Sequence, residues 1–187
     1  VVLHEQNAHA GLANRFVARW ADRVFVSFPN TRGLSGEVVG NPLRSVFRSF
    51  DGSRLRREAA ERYGLDPAGP TLGVFGGSLG AGALNGAVSE LAARWSGGPL
   101  QIVHLVGRVH EEATSTITDA PTVHRRVVGF EERMDLFYAM ADVVVARAGG
   151  SLFEVAATGT PAIVVTGSFG GGHPAQNAAA MGDAGAA

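Results

Sequence analysis

No cysteine and no lysine occur among the 187 residues. The first absence excludes disulfides, thiolate nucleophiles and cysteine metal sites, and it suits a reducing compartment. The second excludes Schiff-base chemistry and a P-loop lysine within this segment; all 16 basic residues are arginine. The net charge of −1 lacks the basic excess of a general nucleic-acid binder. No apolar run approaches the roughly 20 residues that a membrane-spanning helix needs, and no secretory signal pattern is visible. There is no Gly-x-Ser-x-Gly nucleophile elbow. The histidines, His4, His9, His104, His110, His124 and His173, have no metal-ligand spacing with a carboxylate partner, so no metal site is expected. An initial methionine is also absent. The chain starts inside the apolar run Val1-Val2-Leu3 and stops at Gly185-Ala186-Ala187, just past a helical pattern, so it is expected to be a fragment.

What is present is apolar and rich in glycine: 45% hydrophobic residues and 26 glycines. That is enough for a sizeable core. The first part of the chain reads as a strand at 1–3, a helix at 11–21 on Leu12, Phe16, Val17 and Trp20, and strands at 24–26 and 37–39. Gly40-Asn41-Pro42 breaks the pattern as a turn or linker. An arginine-rich stretch follows, expected as a mostly solvated helix at 53–63 with Gly64 as its stop. From Thr71 the rhythm is regular. Strands are expected at 71–75, 101–106, 124–128, 142–146 and 161–165, and helices at 81–95, 109–117, 132–140, 151–158 and 174–183. Continuous apolar runs such as Val143-Val144-Val145 suit a parallel sheet covered on both faces. The alternation predicts an α/β domain with a doubly wound parallel sheet.

Ligands in such a sheet bind at the carboxyl ends of the strands. Three glycine-rich loops, 76–81, 147–151 and 166–173, would converge there. The first, Gly76-Gly77-Ser78-Leu79-Gly80-Ala81, lies between an apolar strand and the helical pattern Leu84, Val88, Leu91, Trp95. Bare amides at a helix N-terminus can hold a phosphate or pyrophosphate; the same residues also serve as a tight β–α connection. The spacing is not Gly-x-Gly-x-x-Gly, so a dinucleotide is not the first expectation. Ser78 can donate to a phosphate oxygen or cap the helix. Arg44 follows the Asn-Pro turn. It is either a surface residue or a guanidinium at a domain junction, where it would match a pyrophosphate bidentately. Glu154 is either a first-turn helix carboxylate or an acceptor for a pair of hydroxyls, as on a ribose. His104, in mid-strand, reads as a core residue.

Taken together, the segments resemble the MurG family of glycosyltransferases. The resemblance rests on an ordered set: His4-Glu5-Gln6-Asn7-Ala8 with Gly11-Leu12-Ala13-Asn14, Gly40-Asn41-Pro42-Leu43-Arg44, Gly76 to Ala81, Phe130-Glu131-Glu132-Arg133-Met134, Ala141 to Val145, and Arg147-Ala148-Gly149. It implies a GT-B fold of two Rossmann-like domains, with 1–43 ending an N-terminal acceptor-side domain and 44–187 forming most of a UDP-sugar-binding domain. It implies inverting transfer of GlcNAc from UDP-GlcNAc to the MurNAc 4-hydroxyl of lipid I, giving lipid II. No cofactor is implied. The catalytic base and a membrane-facing patch would precede Val1, and the protein would sit peripherally on the cytoplasmic face of the plasma membrane.

By the same likeness, Asn7 would face the sugar and acceptor. Arg44 and Ser78 would contact the diphosphate, and Glu131 would lie by the uracil through its backbone. Gly149, Gly150 and Ser151 would line the donor site, and Glu154 would hold the ribose. Two departures from the family pattern stand out. The stretch from Arg147 to Glu154 is one residue short. His173 and Pro174 replace the residues usually found four and three places before Asn177, so His173 or the displaced Gln176 would take over sugar recognition. Two alternatives stay open: another GT-B transferase or nucleotide-sugar epimerase, and a non-catalytic UDP-sugar-binding domain.

Overall fold

The structure is a computed structural model that describes residues 1–77, 81–166, 176–179 and 182. Two parallel sheets form. The first holds β1 (Val2–Glu5), β2 (Arg23–Val26) and β3 (Glu37–Val38) in that order, with helix α1 (Leu12–Val17) between β1 and β2. After α2 (Gly52–Tyr63) comes the second sheet, built from β4 (Thr71–Phe75), β5 (Leu100–Leu105), β6 (Val123–Val128), β7 (Val143–Arg147) and β8 (Ala162–Val165). The helices α3 (Gly82–Arg94), α4 (Glu111–Ser115), α5 (Met134–Met140) and α6 (Leu152–Thr158) connect its strands. All pairings are parallel and the spatial order is β6-β5-β4-β7-β8. The expected α/β, doubly wound architecture is what forms.

Strand composition follows position in this sheet. Central β5 is buried along nearly its whole length, which its apolar run Ile102, Val103, Leu105 permits. Edge strand β6 alternates and carries His124, Arg125 and Arg126; edge strand β8 leaves Ile163 exposed. Gly73 in β4 lets α5 come close, because a Cβ there would stand 2.8 Å from both Phe137 Cζ and Ala141 Cβ. The sequence Leu136-Phe137-Tyr138-Ala139-Met140 is accordingly buried throughout.

Helix α2 starts at Asp51, whose carboxylate caps Ser53 N and Arg54 N, and stops at Gly64 in the left-handed conformation (φ +66°). The expectation of a mostly solvated helix holds for one face only. Ala59, Ala60 and Tyr63 are buried, and two of its arginines reach inward: Arg56 to Asp142 and Arg62 to Glu131. The helix expected at 109–117 divides into a 3-10 turn, Arg108–His110, and the short α4.

The two sheets share a core. Ala8 and Phe28 belong to the same buried cluster as Phe47, Tyr138 and Leu152, and the Phe28 and Phe153 rings lie 5.3 Å apart. Asn177 adds polar stitching: its Oδ1 accepts from Ala8 N (2.8 Å) and its Nδ2 donates to Asn7 Oδ1 (3.1 Å).

Candidate functional site

In sheet order, β4 and β7 are neighbours whose onward connections leave to opposite sides. A doubly wound sheet opens a crevice at that point, beyond the carboxyl ends of the strands. A cavity of about 460 Å³ lies there. Phe75 and Gly77 border it at the end of β4, Leu105 and Gly107 at the end of β5, Gly129 to Glu132 after β6, and Ser151 and Glu154 after β7. Arg44 completes its wall. Two of the three expected loops therefore converge. The third, 166–173, lies outside the described residues apart from Thr166, as do Ser78 and His173. Gly107, at φ +86°, and Gly129 are lining residues that the loop reasoning did not single out.

Arg44 and Glu154 meet in this cavity. Arg44 Nε and Nη2 donate to Glu154 Oε1 at 3.3 and 3.2 Å, and Nη1 donates to the Glu132 carbonyl at 2.9 Å. The guanidinium lies over the Phe47 ring, 5.1 Å from its centroid. Glu154 Oε2 accepts from the Tyr138 hydroxyl at 3.2 Å. The N-cap residue Ser151 makes no side-chain hydrogen bond to α6, and the Glu154 oxygens face Arg44 and Tyr138. Burial, reinforced by the Glu154 carboxylate beside it, pushes the Tyr138 phenol far above its usual range and keeps it a donor.

Glu131 is different. Its carboxylate turns inward and accepts from Arg62 Nε and Nη2 (2.9 and 2.8 Å), Tyr63 OH (2.9 Å) and Arg133 N (2.8 Å). Burial pushes this carboxyl up, but the hydrogen bonds from Arg62, Arg133 and Tyr63 together outweigh it and leave it below its ordinary value. The side chain thus fixes the loop after β6.

The segment around Asn7 forms a second hollow of about 410 Å³, bordered by His4, Gln6, Asn7 and Asn14. Its organiser is Glu5, 2% exposed. Glu5 accepts from Asn7 N, Asn7 Nδ2, Gly11 N and Asn14 Nδ2 at 2.8 to 3.0 Å. Burial raises this carboxyl, and those bonds more than reverse the effect, so it stays ionised. Asn7 therefore borders this hollow rather than the larger cavity. Gln6 reaches the loop after β7: its Oε1 lies 3.2 Å from where a Cβ on Gly150 would stand. Gly149 O accepts from Leu152 N. Gln176 is half buried, and its Oε1 has no partner among the described residues.

The model of the Glycosyltransferase family 28 C-terminal domain matches residues 71–187. The chain belongs to this family. It is 44% identical over 99% of its length to the UDP-N-acetylglucosamine–N-acetylmuramyl-(pentapeptide) pyrophosphoryl-undecaprenol N-acetylglucosamine transferase of a Nocardioides species, covering 51% of that protein. Its identity to the same-named protein of Clavibacter michiganensis is 45%, over 95% of this chain and 47% of that one. The crystal structure of Acinetobacter baumannii MurG superposes with a TM-score of 0.74 at 33% identity, over 98% of this chain and 50% of that chain. The resemblance to MurG read from the motifs thus extends over nearly the whole chain, in sequence and in fold. The chain spans about half the length of the curated relatives it matches.

Sequence reasoning overlooked a buried polar contact between the start of α3 and the end of β5. Asn85, one turn into α3, donates through Nδ2 to Val106 O (2.8 Å), and its Oδ1 meets His104 Nε2 (3.2 Å). This ties the helix after the glycine loop to the end of β5. His104 is fully buried as expected, and its Nδ1 has no hydrogen-bond partner among the described residues. Burial, with a smaller contribution from Arg125, pushes its pKa down from 6.5 to about 4. An unfolded histidine takes up its proton near pH 6.5, whereas this one resists until about 4. Stability should therefore fall as the pH drops through that window, by up to about 3 kcal/mol from this residue. Urea unfolding at pH 7 and pH 4.5 checks it: His104→Gln should lose less stability over the interval than wild type, and an equal loss would remove His104 as the cause.

Proposed function

We propose that the protein containing this chain transfers GlcNAc from UDP-GlcNAc to the MurNAc 4-hydroxyl of lipid I, with inversion, forming lipid II. The observation that carries the reading is the convergence of Arg44, Glu154, Gly77 and the loop after β6 on one cavity at the switch point of the sheet. The relatives' names supply the substrate class. In this reading residues 1–43 end the acceptor-side domain and residues 44–187 bind the donor. Asn7 faces the sugar and acceptor from the smaller hollow. The backbone at Glu131 meets the uracil, Glu154 holds the ribose, and Gly149, Gly150 and Ser151 line the donor site. Ser78 joins Arg44 at the diphosphate, and His173 or Gln176 reads the sugar.

The chemistry asked of this half is stabilisation of a leaving group. As the acceptor oxygen attacks C1, the bond from C1 to the diphosphate breaks and negative charge grows on UDP. A guanidinium and preorganised amides oppose that charge without a bound metal. Among the described residues no helix is long and apolar enough to cross a membrane. With an undecaprenol-linked acceptor in the relatives' names, we place the protein peripherally on the cytoplasmic face of the membrane. The test is transfer by the intact protein, using UDP-GlcNAc and a soluble lipid I analogue. The expected product is the GlcNAc-MurNAc disaccharide. UDP-GlcNAc binding without transfer would point to a non-catalytic domain, and preference for another sugar nucleotide to a different transferase.

A further inference from the structure

The two oxygens of Glu154 are held in unequal ways. Oε1 faces Arg44, whose side chain is 47% exposed and also donates to the Glu132 carbonyl. Oε2 faces the hydroxyl of Tyr138, a residue 2% exposed. The Tyr138 ring is clamped edge-on by Phe47, Phe75 and Phe137, with centroids 5.8, 6.2 and 5.4 Å away. Its hydroxyl cannot move without moving that cluster, and Glu154 is its hydrogen-bond partner among the described residues. A buried hydroxyl is costly to leave unpaired, so the contact is held from the tyrosine side. One oxygen of the carboxylate is thereby anchored and the other is exchangeable.

We propose that Tyr138 is a positioning residue for nucleoside recognition: it fixes Glu154 Oε2 so that Oε1 passes from Arg44 to a vicinal diol of the ligand. This rests on the reading of Glu154 as the ribose carboxylate. It adds an explanation of why a carboxylate on a short helix keeps one orientation in an open cavity. A free carboxylate would rotate about its terminal bond and follow the guanidinium, whereas an anchored one stays when the guanidinium leaves. Arg44 is then free to follow the phosphates.

The experiment compares UDP with 2′-deoxy-UDP by calorimetry on the intact protein. Wild type should prefer UDP by about tenfold or more, since a site built to accept from a hydroxyl pair discriminates against its loss. Tyr138→Phe keeps the ring packing and should weaken UDP roughly fivefold while changing 2′-deoxy-UDP little, so the preference collapses. Glu154→Asp, one methylene shorter, cannot reach both Tyr138 and the cavity; it should lose the preference too, and it tests the idea if the phenylalanine variant folds poorly. A merely structural tyrosine would lower the melting temperature and leave the ratio alone. A UDP preference retained in Tyr138→Phe or in Glu154→Asp overturns the positioning role. A wild-type protein that binds UDP and 2′-deoxy-UDP equally overturns the ribose reading beneath it.

Discussion

Arg44→Ala in the intact protein should lower kcat by about a hundredfold or more and raise the KM for UDP-GlcNAc much less. The leaving diphosphate carries more negative charge in the transition state than in the bound donor, so a cation placed there acts mainly on turnover. The geometry makes the guanidinium available. It rests on Phe47, donates to the Glu132 carbonyl at 2.9 Å and holds Glu154 Oε1 at 3.2 Å, with half of its own side chain exposed. A diphosphate offers the guanidinium a bidentate and more highly charged partner than one carboxylate oxygen, which favours the exchange. The same geometry predicts an effect of opposite sign. Uridine has no phosphate to attract Arg44 and must compete with it for Glu154. Arg44→Ala should therefore bind uridine no more weakly than wild type, and up to about fivefold more tightly, while UDP binds more weakly. Arg44→Lys should recover only part of kcat, because an ammonium keeps the charge and loses the fork. Steady-state kinetics and calorimetry read both halves. A near wild-type kcat would make Arg44 a linker residue, and equal weakening of uridine and UDP would make it a structural support.

The fold was legible because its signals are local. Thr71–Phe75, Leu100–Leu105 and Val143–Arg147 are central strands. Burial on both faces forces on such strands an apolar run that no helix period explains. The boundaries of α2 were legible from Gly64, whose φ of +66° is the ordinary reason for a glycine after a helix. The helix expected at 109–117 was less well marked. Val109, the first residue of that range, is 79% exposed and adds no core anchor, and the segment breaks into a 3-10 turn and a single short helix.

The site was legible in its backbone and much less so in its side-chain pairings. Glycine loops after strands are visible in sequence because the turn itself demands them. The partners of Glu154 and Glu131 are not. Arg44 is 110 residues from Glu154 and Arg62 is 69 from Glu131, and no periodicity relates them. Glu131 was singled out by family likeness, yet its carboxylate proved to be a buried anchor for Arg62, Tyr63 and Arg133 N. Glu5 and Asn177 served only as motif letters. Their roles depend on a loop closing around one carboxylate and on a contact across 169 residues. Asn85 is the instructive case. A polar residue on the buried face of α3 was visible in the helical spacing with Leu84 and Val88, and buried asparagines need partners; that reasoning could have led to His104.

Glu154→Ala should weaken UDP binding to the intact protein about tenfold or more. A ribose diol that has lost its acceptor is left with unpaired hydroxyls, at about 1–3 kcal/mol. The variant also does something unrelated to ligand: it removes the acceptor of the buried Tyr138 hydroxyl. That loss should cost about 1 kcal/mol of folding stability and lower the melting temperature. The two consequences can be separated. In the double variant Tyr138→Phe/Glu154→Ala no orphaned hydroxyl remains, so the melting temperature should recover toward that of Tyr138→Phe alone. UDP affinity should not recover, because the ribose acceptor is still missing. Thermal melts and calorimetry on wild type, both single variants and the double variant complete the cycle. Recovery of both properties together would mean that Glu154 acts only through the packing of α6 on α5. Unchanged UDP affinity in Glu154→Ala would leave it a structural partner of Arg44 and Tyr138, and the ribose would then have to be held from the loop after β6.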